Sequence, residues 1–173
     1  MRPEFHARLW DDILDKGEAF GIQPFGSRAM RSMSLEKGFG SWATEYRPIY
    51  GPFAAGMGRF VSLNKEHFIG RESAVLEKEH GPEKSLVTFT VDVVGCDVMG
   101  NEPIYQGSEI VGYVTSGMYA HHVDRSVALG YVPTGLAADV SDGAFAIEIL
   151  GEMRPATIAP QALFDPDASR MRG

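Results

Sequence analysis

One cysteine, Cys96, stands among 173 residues, so neither an internal disulfide framework nor a metal cage of cysteines can form. A reducing, cytoplasmic setting is the expectation. Long apolar runs are missing too. Nothing approaches the ~18 residues of a membrane span, and Met1-Arg2-Pro3-Glu4-Phe5-His6 offers no apolar signal core. Basic charge is short, with 16 Lys+Arg against 23 Asp+Glu and a net charge of -7. Gripping a phosphate backbone or an anionic bilayer requires a basic stripe, so no nucleic-acid and no membrane partner is expected. What is plentiful is apolar material, at 44%, together with 20 Gly and 10 Pro. A chain of this size buries roughly 70% of its extended surface on folding. Its glycines and prolines mark many turns between short elements.

The negative charge is unevenly placed. Residues 1–80 carry 11 basic and 11 acidic groups, whereas residues 81–173 carry 5 and 12 and hold the whole surplus. The change falls at His80-Gly81-Pro82-Glu83-Lys84, where the Gly-Pro pair signals a turn or linker. Two parts are expected, 1–80 and 84–173. In the first, Phe5, Leu9, Trp10, Ile13 and Leu14 recur at helical spacing between Pro3 and Gly17, which predicts an amphipathic helix over 3–16. It begins almost at Met1, with nothing ahead to cover its apolar face, as in a chain cut from a longer protein. Self-association through Phe5, Leu9, Trp10 or Ile13 is the expected consequence. A second helix is predicted from Ser27 to a stop at Lys37-Gly38. An ordered aromatic loop follows to Phe53, then a short strand over 59–63 and a third helix from Gly70 to near Gly81. Beyond residue 84 the period falls to two, as Val87, Phe89, Val91 and Val93 alternate with Leu86, Thr88, Thr90 and Asp92. Further strands are predicted over 109–115, 126–132, 144–150 and 154–158, the last two joined by Gly151-Glu152-Met153. The outcome is an α+β chain ending in a small antiparallel barrel or sandwich.

Most candidate motifs are incomplete. Neither Gly38-Phe39-Gly40 nor Gly56-Met57-Gly58 completes a phosphate-binding glycine loop. His121 and His122, followed by Asp124, point to opposite faces of a strand and so do not make one metal site. Ser116 lies near His121 but has no nucleophile-elbow pattern around it, and Cys96 has no basic neighbour to lower its pKa. Glu36 and Lys37 at a helix end, with Trp42 following, allow two readings. One is a charge pair closing a helix; the other is the edge of an aromatic pocket for a flat heterocycle.

Five blocks, in order, carry a resemblance. Ser32-Met33-Ser34-Leu35-Glu36-Lys37-Gly38-Phe39-Gly40-Ser41-Trp42 resembles an S-L-R-L-E-K-G-Y-x-x-W segment, and residues 54–61 (A-A-G-M-G-R-F-V) resemble an E-A-G-L-x-x-x-V turn and strand. Residues 65–72 are similar to K-x-x-F-I-G-R-E, residues 112–117 to a G-x-V-T-S-G hairpin, and residues 126–132 to an I-A-L-A-Y-V strand. The family is that of the aminomethyltransferases (glycine cleavage T-proteins), in the form found in the tetrahydrofolate domain of dimethylglycine and sarcosine dehydrogenases. The resemblance spans about residues 3 to 160.

The resemblance implies the end of a folate-binding α/β region over 1–80, followed from 84 by an antiparallel β-barrel. It implies tetrahydrofolate as cofactor, with a flavin (FAD) only if an oxidase domain precedes. It further implies a one-carbon transfer from an oxidised methylamine such as glycine, dimethylglycine or sarcosine. The partner would be an N-terminal half or flavin domain of the same protein. By the same resemblance Ser34, Glu36 and Trp42 would line the folate side, while no general acid or nucleophile falls within 1–173, so the isolated chain would be inactive. The family arginine stands as Ser34 here, which removes a five-donor planar cation. Arg31, three residues earlier on the same helical face, can take its place. The alternative is a non-catalytic, structural or regulatory paralogue that keeps the scaffold without the site.

Overall fold

The alternation that starts after residue 84 becomes the first of six strands in a computed structural model that describes residues 2–172. β1 (Lys84–Val91), β2 (Pro103–Gln106), β3 (Glu109–Ala120), β4 (Arg125–Pro133), β5 (Phe145–Ile149) and β6 (Glu152–Ala159) close into a barrel in the order β1-β4-β3-β2-β5-β6. Every neighbouring pair is antiparallel. Inward residues follow the two-residue period: Phe89 and Val91, Phe145, Ile147 and Ile149, Ala156 and Ile158 form one apolar cluster with Val98, Ile104, Val114, Ala128 and Val132. Phe89 meets Phe145 edge to face at 5.4 Å between centroids. β4 is buried along nearly its whole length because both faces are covered. Its outer side, at Val127 and Leu129, joins Leu35 and Ala120 in a second cluster.

The chain divides into two compact units, residues 1–30 and 31–173. The first holds a 3-10 turn, Pro3–Phe5, and helix α1 (His6–Gly17), with Phe5, Leu9, Trp10 and Ile13 exposed. Gly17 is itself helical, and the left-handed residue is Gly21 (φ 68°), after a further 3-10 turn. α2 (Ser27–Glu36) ends in a Schellman cap: Gly38 takes φ 68°, its N–H reaches Leu35 O, and Phe39 N–H reaches Ser34 O. α3 (Arg71–His80) follows the expected range, and a single C-terminal turn, α4 (Ser169–Arg172), closes the chain. Among the described residues no helix is long and apolar enough to cross a membrane.

Three expectations need correction, and one strand is added. Residues 59–63 are not a strand: Gly58–Phe60 is a 3-10 turn, closed by Val61 N–H on Gly58 O, with Arg59 lying over the Phe60 ring. β2 was not foreseen, being four residues long and opening on a proline. β3 runs on to Ala120 because a bulge between Val114 and Ser116 absorbs the irregular step, so residues 112–117 are mid-strand and the hairpin turn lies at 121–124. The β5–β6 connection is Leu150-Gly151 alone, with φ 52° and 82°, since Ile149 already pairs Glu152. This is a two-residue loop with both residues left-handed, where Asn is far better tolerated than Leu. Leu150 is also 91% exposed, so Leu150→Asn is expected to stabilise the barrel by roughly 0.5–1 kcal/mol, read as a higher urea midpoint.

Candidate functional site

The sequence of α2 puts Ser32, Leu35 and Glu36 on its buried face and leaves Arg31 exposed. Leu35 fills the outer cluster of β4, and the two polar residues stitch the helix to the end of β3 and its turn. Ser32 O–H donates to Tyr119 O at 3.0 Å, and its oxygen accepts His121 N–H at 3.3 Å. Glu36 Oε1 accepts His122 N–H at 2.7 Å, and the Glu36 carbonyl accepts Phe164 N–H at 3.0 Å. The imidazoles of His121 and His122 go to different neighbours, Tyr119 and Phe164, each edge to face.

Lys37 binds Asp165 at 2.8 Å with both side chains nearly covered, tying the C-terminal segment to the end of α2. The hydrogen bond from the Lys37 ammonium, aided by Ser169 and Arg170 N–H against the effect of burial, holds the Asp165 carboxyl at about 2. A carboxyl held below its ordinary value of 3.8 contributes its stability in full above that value and loses it as pH falls toward 2. The segment around Phe164 is therefore expected to loosen between about pH 4 and pH 2, seen as a change in the Phe164 amide resonance. Lys37→Met should move that change up toward the ordinary carboxyl range.

The aromatic loop after α2 is pinned from inside. Gly40 N–H donates to Tyr46 O–H at 3.0 Å, and a Cβ at Gly40 would lie 2.6 Å from Glu45 Cβ. Glu45, 1% exposed, accepts Ser41 N–H at 2.8 Å and Thr44 O–H at 2.5 Å on Oε2. Its Oε1 has no hydrogen-bond partner among the described residues. Burial pushes this carboxyl up, but the polar groups around it, with Thr44 O–H and Ser41 N–H donating to it directly, outweigh burial, so Glu45 titrates below the ordinary range and is an anion at neutral pH. Tyr131 O–H donates to Glu45 O at 2.8 Å, Tyr50 stacks on Tyr131 at 3.6 Å, and Tyr50 and Tyr113 share a hydroxyl contact. Burial, then Tyr113, pushes the Tyr50 phenol up to about 12, and burial raises Tyr131 as well. Neither is a general base at neutral pH.

Of the four residues singled out, Arg31 joins this network through Ser116 Oγ at 3.4 Å. Ser34 is half-buried on α2, Glu36 faces the β3–β4 turn, and Trp42 is 83% exposed with its edge on Tyr46. A cavity of about 890 Å³ lined by Lys37, Phe39, Tyr46, Arg59, Phe60 and Leu129 lies beside the loop, and none of the four lines it. Glu45 and Thr44 belong to no motif in the sequence, and Ser116 enters it only as a nucleophile candidate beside His121. The one signal for Glu45 is that it is the lone acid between Gly38 and Phe53.

Comparison with known proteins assigns both parts of the chain. The family model of the GCVT N-terminal domain matches residues 1–65, and that of the glycine cleavage T-protein C-terminal barrel domain matches residues 84–165. Dimethylglycine dehydrogenase of Mus musculus is 36% identical over 172 residues, covering 99% of this chain and 20% of that protein. An aminomethyltransferase of Desulfitobacterium hafniense is 32% identical over 133 residues, covering 77% of this chain and 36% of that protein. The crystal structure of glycine cleavage system aminomethyltransferase T from Bartonella henselae superimposes with a TM-score of 0.82 over 93% of this chain and 44% of that one, at 19% identity, a likeness of fold. The chain thus spans about a fifth to a third of the length of these curated relatives. Two adjoining family domains in their order, with the barrel closing as the second requires, place this chain in the glycine cleavage T-protein (aminomethyltransferase) family.

Proposed function

We propose that this chain is the C-terminal part of a protein that moves a one-carbon unit from an oxidised methylamine to tetrahydrofolate. Residues 1–80 would end its folate-side region, and 84–173 would be its barrel. The observation that supports the reading is Arg31, an exposed guanidinium held beside the loop that presents Trp42, in a chain whose relatives include both dimethylglycine dehydrogenase and aminomethyltransferase. The residues present fit a folate in two respects. Arg31 offers a cation for its carboxylates, and Trp42 offers a flat face for a ring. Glu36, turned to the barrel, acts through the helix it holds. Tetrahydrofolate supplies the nitrogen that accepts the carbon. This chain's part is to bind and orient, letting proximity lower the barrier. The remaining sequence of such a protein would supply the acidic group and any flavin, and would cover Phe5, Leu9, Trp10 and Ile13, which otherwise favour self-association.

Calorimetric titration of the full-length protein with tetrahydrofolate tests the reading. Saturable binding, weakened about tenfold in Arg31→Ala, is expected, and unchanged affinity in that variant would remove Arg31 from the site. The second reading is a non-catalytic paralogue, favoured by the serine at position 34 where the resemblance expects arginine. Absence of any folate binding by the wild type would support it.

A further inference from the structure

We infer that Glu45 is a positioning residue whose buried carboxylate, acting through Thr44 and Ser116, aims the Arg31 guanidinium. The ligand toward which Arg31 is aimed rests on the reading above; the relay rests on this geometry alone. Three hydrogen bonds run in one direction. Arg31 Nη2 donates to Ser116 Oγ at 3.4 Å, Ser116 O–H donates to Thr44 Oγ1 at 3.1 Å, and Thr44 O–H donates to Glu45 Oε2 at 2.5 Å. Each hydroxyl has one proton. With the Thr44 proton committed to the carboxylate and the Ser116 proton committed to Thr44, only lone pairs of Ser116 remain for the guanidinium. An ionised carboxylate is acceptor-only, so it fixes this polarity. An amide there relaxes this: with its NH2 turned toward Thr44 it would lose the Ser41 N–H bond and reverse every link, presenting a hydroxyl proton to Arg31.

Two features separate this from a mere loop clamp. Ser41 N–H on Oε2 is enough to hold the loop, yet the same oxygen also takes the Thr44 proton. The chain instead continues across to the bulge of β3, where Ser116, 3% exposed, sits. At the far end Arg31 keeps further donors, and no ion pair among the described residues takes up its charge.

The test follows the Arg31 side-chain N–H resonances of the full-length protein and, in parallel, its titration with tetrahydrofolate. Thr44→Val and Glu45→Gln should shift the Arg31 resonances and weaken tetrahydrofolate about five- to tenfold, Thr44→Ser should restore both, and Thr44→Val should cost nothing more in an Arg31→Ala background. Unmoved Arg31 resonances in Thr44→Val and Glu45→Gln, or losses that add fully to that of Arg31→Ala, would overturn the relay. A wild type that binds no tetrahydrofolate while its Arg31 resonances respond to Thr44→Val would support the relay and overturn only the ligand reading.

Discussion

Gly112→Ala is expected to cost at least about 3 kcal/mol of folding stability, the largest effect of any small substitution in the barrel. A Cβ at this position would lie 2.0 Å from Tyr131 O and 3.1 Å from the carbon that bears it. Backbone atoms cannot swing aside as the end of a side chain can. Nor can β4 retreat, since Tyr131 is paired with Tyr113 of β3 on one side and with Leu86 of β1 on the other. The same residue stacks on Tyr50 and holds Glu45 O, so a shift of its backbone would carry into the loop. Gly135→Ala is the control. Its Cβ meets nothing within 4 Å, and its backbone is not left-handed, so stability should change by no more than about 0.5 kcal/mol. Urea unfolding of both variants decides the matter, and a loss below about 1 kcal/mol at Gly112 would show that the strand pair tolerates a wider spacing.

The barrel was legible in the sequence because its signal is local. Phe89, Val91, Ile147, Ile149, Ala156 and Ile158 point inward at every second position, and the period survives without knowledge of any partner. The same local logic found α2 and its glycine cap, where Gly38 needs a positive φ. It failed where tertiary pairing decides. β2 is held by β3 and β5 on either side rather than by its own four residues, and β3 outruns a Ser-Gly turn signal because a bulge and Val98 lie against Gly117. Residues 59–63 carry Phe60, Val61 and Leu63, the apolar content of a short strand, yet Gly58–Phe60 winds into a 3-10 turn. The site shows the same contrast. Glu36 stood out for its motif, whereas Glu45 acquires its environment from Ser116, seventy-odd residues away on another element, and no spacing along the chain announces that meeting.

Glu36→Ala is expected to lose roughly 2 kcal/mol of stability, the range for a charged acceptor removed from a buried hydrogen bond. The carboxylate is 3% exposed and is the acceptor of His122 N–H, so alanine leaves that donor at the turn between β3 and β4 without its partner. The loss reaches further than one bond. Glu36 ends α2, its carbonyl holds Phe164, and the adjacent Lys37 holds Asp165, so loosening the helix end frees both anchors of the C-terminal segment. Glu36→Gln separates the structural role from a direct ligand contact, because the amide oxygen can still accept His122 N–H. Its cost should stay below about 1 kcal/mol. If Glu36 acts only by holding α2, the glutamine variant will melt close to the wild type and bind tetrahydrofolate with nearly unchanged affinity, while the alanine variant weakens both. A glutamine variant that is fully stable yet binds tetrahydrofolate tenfold more weakly would return Glu36 to the ligand, with His122 as the group that turns its carboxylate.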